Sequence, residues 1–309
     1  MDTGSKKANH FGQAFTLSIL LCCGFLLSPV SLAQADPLVL ATLNSTPSNE
    51  IKRLLPFSNY IAQRLQMQEV DKVKLRVEKN IIKIGQLIQE DKVDIYFGNP
   101  FTALALNRLS GMKFLLQALS QGADRHPSVI FVKSNSAMKK LTDLQGRKIA
   151  FEDPLSAEGY LLPKWLLMEK GLKLKLLKKV TDEVGMGELG YIFSRDDINT
   201  LLWVKKGKVD AGAVDSHIYA KQAKESLDQL RIIEKTISLP SLLIGYRSDL
   251  SPKLLTRLKF VLQNMHKTDE GKVILKDLDE ISKFVEIPPN ALDPLLKANK
   301  YLNSEFNFQ

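Results

Sequence analysis

One short order of residues occurs twice in this chain, and it limits the folds open to it. After a helical pattern, Lys92-Val93-Asp94 leads an apolar run into Gly98-Asn99-Pro100 and a further helix. After another helical pattern, Lys208-Val209-Asp210 leads Ala211 to Val214 into Asp215 and a further helix. A duplicated sheet architecture explains the repetition better than coincidence. Each tripeptide then starts a buried strand that ends in an equivalent loop, and ligands of α/β sheets bind at such carboxyl ends.

The rest of the chain fits that frame. Leu38 to Leu43 is strand-like, and Asn44 to Ser48 is a polar turn. A helix from about Asn49 to Met67 follows, with Ile51, Leu54, Leu55, Ile61 and Leu65 on one face and a kink at Pro56. Val73, Leu75 and Val77 alternate with charged residues, a strand signal. Met112–Leu119 and Ser128–Lys133 read as strands, and the polar segment between them as a crossing between lobes. Beyond it come a strand at Arg147–Phe151, a helix at Tyr160–Lys170, a strand-like run at Leu174–Val180, a glycine-rich loop, and a helix from about Asp196 to Lys206. Leu230–Glu234 and Leu242–Tyr246 are strand-like, with the return crossing between them. Helices at Pro252–His266, Asp269–Leu278 and Pro289–Tyr301 and a frayed tail complete the chain. Strands alternating with helices predict an α/β protein of two lobes, each a mixed sheet flanked by helices and joined to the other by two crossings. Residues 36–122 and 236–309 form the first lobe in this reading, and residues 123–235 the second.

Residues 1–35 read as a secretory signal peptide. Lys6 and Lys7 precede an apolar run from Phe15 to Val30, and Ala33-Gln34-Ala35 offers the small-residue cleavage site. The mature chain is therefore expected in the periplasm, starting at Asp36. Both cysteines, Cys22 and Cys23, leave with that segment, which removes disulfides and thiolate chemistry. The net charge of +9 favours anionic small molecules or surfaces, and an exported protein does not meet nucleic acid. His126, His217 and His266 have no metal-ligand spacing, and no metal or cofactor is implied.

Three segments carry possible chemistry. Asp143 to Gly159 reads as turn, strand, polar loop and helix start, so free N–H groups at Ser156-Ala157-Glu158-Gly159 suit an anion. The plainer reading makes Ser156 a helix cap. Gly185-Met186-Gly187-Glu188-Leu189-Gly190 has dinucleotide-fingerprint spacing without the flanking strand and helix, and a flexible loop is the better reading. Ser194-Arg195-Asp196-Asp197 reads as a capping box of Ser194 with Asp197, which leaves Arg195 able to fork onto a carboxylate or phosphonate.

Together these residues resemble the phosphate/phosphite/phosphonate-binding periplasmic proteins of ABC transporters, which have the type 2 periplasmic-binding fold. The likeness rests on Leu55-Pro56-Phe57-Ser58-Asn59-Tyr60, Lys92-Val93-Asp94 through Gly98-Asn99-Pro100, Leu141 to Gly159, and Gly190-Tyr191-Ile192-Phe193-Ser194 through Lys208-Val209-Asp210-Ala211-Gly212. The resemblance implies a run of hydroxyls on the phosphonate oxygens. Here that run is Ser156-Ala157-Glu158-Gly159, with two hydroxyls replaced and a carboxylate introduced. Arg195 stands where the family often has histidine, and Ala103 where a tyrosine is common. These departures imply a ligand with both an anionic and a cationic group, engaging Arg195 and Glu158 together.

The expected ligand-binding set is Thr46, Asn99, Ser156, Ala157, Glu158, Gly159, Ser194, Arg195 and Asp215. The expected function is a monomeric solute-binding protein closing on a small anionic or zwitterionic molecule, phosphonate-like, for an ABC transporter permease. The alternative is a periplasmic sensing module for a membrane kinase; a hydrolase on the same scaffold is a third reading, for which no catalytic constellation argues.

Overall fold

In the computed structural model, described over residues 37–65, 72–120, 126–226, 229–278, 280–297, 301 and 305, the two repeated tripeptides make the same bonds. The Asp94 N–H donates to the Val39 carbonyl (3.0 Å), and its carboxylate accepts from the Val39 N–H (2.8 Å). The Asp210 N–H donates to the Lys148 carbonyl (2.9 Å), and its carboxylate accepts from the Lys148 N–H (2.9 Å). Each aspartate thus ties its own strand to the start of the first parallel strand of its sheet and sets the register there.

The first lobe opens with β1 (Leu38–Leu43), α1 (Pro47–Leu65), β2 (Val73–Glu78), α2 (Ile81–Gln89), β3 (Ile95–Gly98), α3 (Pro100–Ser110) and β4 (Lys113–Ser120). The second contains β5 (His126–Lys133), β6 (Lys148–Phe151), a π-turn (Ala157–Leu161), α4 (Leu162–Glu169), β7 (Lys173–Leu176), β8 (Glu188–Phe193), α5 (Asp197–Lys205), β9 (Ala211–Asp215), α6 (Ser216–Ser226) and β10 (Leu230–Leu239). The chain then returns through β11 (Leu243–Tyr246), α7 (Pro252–Asn264), α8 (Asp269–Asp277), β12 (Ile281–Val285) and α9 (Asp293–Lys297). The described residues form two six-stranded sheets, ordered β12-β4-β11-β3-β1-β2 and β10-β5-β9-β6-β8-β7. In each, the α/β strands run parallel, and those leading to or from a crossing pair antiparallel. The expected fold of two mixed sheets flanked by helices is therefore what the chain adopts.

Four local readings need correction. The stretch read as a flexible glycine-rich loop becomes strand β8 from Glu188 onward, because Leu189 and Tyr191 are buried and Gly190 lies so close to Leu177 and Val184 that a Cβ would collide with them. Strand β12 was not anticipated; it pairs with β4 and buries Ile281 and Phe284. The strand expected over Leu174–Val180 is confined to Lys173–Leu176. The buried face of α1 is Leu54, Phe57, Tyr60, Ile61 and Leu65, while Ile51 and Leu55 are 41% and 49% exposed. The aromatic residues decide that face: Phe57 packs on Phe97 and Phe284, with ring centroids 5.4 and 5.9 Å away. Burying such rings contributes about 1.5–3 kcal/mol each. Residues 1–36, with the expected signal peptide and both cysteines, lie outside the described residues.

The C-terminal residues lean on the second lobe. Leu295 and Tyr301 share a core with Leu144, Tyr160 and Leu161 and with Phe101 and Leu104 of α3. Glu305 accepts from the Tyr160 hydroxyl (2.6 Å) and from Lys164 Nζ (2.5 Å). At the end of β4, Ser120 Oγ donates to Ser241 Oγ (3.4 Å) on the return to β11.

Candidate ligand cleft

The loops at the carboxyl ends of β1, β3, β6, β8 and β9 line one cleft of about 660 Å³, a volume suited to a small organic molecule. Thr46, Asn99, Ser156, Ala157, Glu158, Arg195 and Asp215 line it; Ser194 and Gly159 do not. The first lobe adds Glu50, Arg53 and Phe97, and the second adds Glu152, Asp153, Asp197, His217 and Lys221.

Ser156 is the cap of the π-turn: its hydroxyl oxygen accepts from the Gly159 N–H at 2.9 Å. A glycine is needed there because a Cβ would sit 2.6 Å from the Cβ of Glu152. The capping box expected at Ser194 is absent. Asp196 caps α5 instead, accepting from the Asn199 N–H (3.1 Å), while buried Ser194 meets the Phe151 carbonyl (3.1 Å) and the Thr200 hydroxyl (2.5 Å). The cap moved because Asp196, two residues nearer the helix, has the extended backbone that a cap requires.

Arg195 has a left-handed backbone, φ 71°, which costs a non-glycine residue about 1–2 kcal/mol. Its guanidinium is 66% exposed, 3.5 Å from the Asp153 carboxylate and over the Phe193 ring. It makes no ion pair with Glu158. Asn99 caps α3 by accepting from the Thr102 N–H (3.0 Å), and its amide donates across the cleft to the Leu155 carbonyl (3.0 Å). Ser45 makes another crossing bond, to Asp153 (3.2 Å), and His217 faces Glu280 at 3.4 Å. Thr46 turns its N–H and hydroxyl onto Asn44, at 2.8 and 2.9 Å. Asp215 caps α6, accepting from the N–H groups of His217 (2.6 Å) and Ile218 (3.2 Å).

Acidity concentrates on the second lobe. Glu158 is held well above the usual carboxylate range, first by burial and then by Asp215, Glu152 and Asp197. Burial, with Glu152, Asp215 and Asp196 around it, pushes Asp197 up to about 8. Glu152 is also raised, by burial and by Asp153, Asp196 and Asp215, against an opposing hydrogen bond from Ser156. On the first lobe, Glu50 is instead gripped by Arg53, with contacts of 2.7 and 2.9 Å. The sequence reading passed over Glu152, Asp153 and Asp197. The signal available was their position, at or just past the carboxyl ends of strands within the loops already singled out. No three acidic, histidine or cysteine side chains among the described residues are placed to hold one metal ion.

The sequence profile described as ABC transporter, phosphonate, periplasmic substrate-binding protein matches residues 40–291. The chain belongs to this family. The phosphonates-binding periplasmic protein of Escherichia coli (strain K12) is 24% identical over 276 residues, covering 87% of this chain and 76% of that protein. XAC2383 from Xanthomonas citri, solved bound to ATP, superposes with a TM-score of 0.78 at 21% identity, covering 87% of this chain and 98% of that one. PhnD1 from Prochlorococcus marinus (MIT 9301), solved in complex with methylphosphonate, gives 0.65 at 18% identity, covering 86% and 98%. At these identities the structural likenesses speak for the fold. The family is one of periplasmic substrate-binding components of ABC transporters, so its members take a small ligand to a permease, and a kinase-sensing module is not favoured. No helix among the described residues is long and apolar enough to cross a membrane.

Proposed function

We propose that the protein, exported to the periplasm by cleavage after Ala35, closes its two lobes as a monomer on a small oxyanion-bearing molecule of the phosphonate class. It then presents that molecule, unaltered, to an ABC permease. The lobes are residues 36–122 with 236–309, and residues 123–235. The observation that carries this reading is the position of the cleft, at the carboxyl ends of strands from both sheets, where Asn99, Ser45 and the His217–Glu280 pair reach across it. Two short crossings give a hinge, and closure around the ligand is the motion such hinges allow. Arg195, Arg53 and Lys221 are the cationic side chains of the cleft and would face the oxyanion. Small-angle scattering with and without a saturating phosphonate tests it: the radius of gyration falls on binding. Unchanged scattering at a saturation verified by calorimetry contradicts closure, and chemical conversion of the bound compound contradicts simple carriage. N-terminal sequencing of the native protein checks Asp36, and sedimentation checks the monomer.

A further inference from the structure

Four carboxyl groups from four different segments converge on the second-lobe wall of the cleft: Glu152 after β6, Glu158 in the π-turn, Asp197 in the first turn of α5, and Asp215 at the end of β9. None forms an ion pair. Three of the neighbouring basic groups are engaged elsewhere: Arg53 with Glu50 at 2.7 Å, Arg195 with Asp153 at 3.5 Å, and His217 with Glu280 at 3.4 Å. One carboxylate oxygen of Asp197 is buried without any hydrogen-bond partner, a condition that costs about 1–3 kcal/mol unless a donor arrives. The partly buried Glu158 carboxyl accepts from its own N–H.

Several backbone donors that would receive an anion on this wall are already used. The Gly159 N–H goes to Ser156, the Asn199 N–H to Asp196, and those of His217 and Ile218 to Asp215. An oxyanion placed here would find acceptors facing acceptors and like charges in a weakly screened site. A ligand with several N–H donors and a positive charge would satisfy every member of the group. A single metal ion would not, since no three of these side chains are placed to coordinate one.

We infer that the ligand group meeting the second lobe is an organic cation, an ammonium or guanidinium, seated among Glu152, Glu158, Asp197 and Asp215. This rests on the reading of the cleft as the ligand site. It reverses the orientation expected from sequence alone, in which the Ser156 loop receives the anionic end. The anionic end, where the ligand has one, lies toward Arg195, Lys221 and the first lobe.

A matched pair of probes tests it. Calorimetry on the purified mature chain is run with ethylphosphonate, with 2-aminoethylphosphonate, and with 1,4-diaminobutane, which has no anionic group. Both amine-bearing probes are expected to bind at least tenfold tighter than ethylphosphonate, and the double variant Glu158→Gln, Asp197→Asn to narrow that gap at least tenfold. Neither substitution removes a bond from another side chain, so the variant folds, which circular dichroism confirms. The inference is overturned by ethylphosphonate binding as tightly as the amines, by an unchanged gap in the variant, or by no amine binding up to 10 mM, on the order of the weakest specific affinities. Contraction of the protein by ethylphosphonate with no preference for amines would overturn the inference and leave the cleft reading standing. Amine binding without contraction, unaffected by a cleft-filling Thr46→Trp, would instead sink the cleft reading.

Discussion

At one position in the duplicated frame, the first lobe follows β3 with Asn99 and the second ends β9 in Asp215. Both side chains cap the helix that follows, one with an amide oxygen and the other with a carboxylate. Behind them Asp94 and Asp210 make the same pair of backbone bonds, within 0.1 Å of each other. The frame is shared because strand register and helix capping impose the same demands on both halves. What lines the cleft is not shared. The first lobe presents Asn44, Ser45, Thr46 and Asn99, with its one buried acid neutralised by Arg53; the second presents unpaired carboxyls. Carboxyls that converge on a cleft with raised affinity for protons and no cationic partner mark the half that discriminates among ligands.

Unpicking the shared frame should give the largest effect. Asp94→Ala removes the bond to Val39 and the 3.0 Å pair with Arg247, and should cost about 2–4 kcal/mol in urea unfolding. Asp210→Ala loses only the bond to Lys148 and should cost about 1–2 kcal/mol. Equal costs would mean that the Arg247 pair contributes nothing.

The unshared half predicts a pH dependence. Asp197 titrates near 8 in the folded chain and near 3.8 when unfolded. A group raised on folding contributes stability that is full below its unfolded value and lost as pH rises through its folded value. The ligand-free protein should therefore lose stability between about pH 4 and pH 8 through this group. Asp197→Asn should gain on the order of 1–2 kcal/mol at pH 8 and almost nothing at pH 4, read as melting temperature at both. A gain of equal size at both would show that packing, not charge, is responsible.

The smallest effect concerns the bridge between the halves. Asn99→Ala should cost about 1 kcal/mol as a lost cap and release the Leu155 carbonyl, raising the radius of gyration of the unliganded protein. Asn99→Asp keeps the cap and removes the crossing donor, so it should reproduce the expansion with less loss of stability.

The frame was legible in the sequence because Lys-Val-Asp, a buried run and a polar turn recur in order, and each carries its reason locally. Strand β8 was not, since Gly190 reads as flexibility until Leu177 and Val184 are seen pressed against it. Strand β12 is five residues long, with a serine and a lysine among them, and only its pairing with β4 identifies it. Of the cleft, the loops were legible and their chemistry was not. Glu152, Asp197 and Asp215 lie far apart in the chain, and nothing local says that their carboxyls converge or that Arg195 turns to Asp153. At 66% exposed, Arg195 is also well solvated, so its contribution to affinity should fall near 1 kcal/mol rather than the several expected of a buried charge.

A structure of the complex with 2-aminoethylphosphonate measures the orientation directly. The account places the ammonium nitrogen within about 3 Å of the Glu158 and Asp197 carboxylates, and the phosphonate toward Arg195 and the first lobe. Phosphonate oxygens bonded to Ser156 and the Glu158 N–H, with the ammonium facing the first lobe, would contradict it.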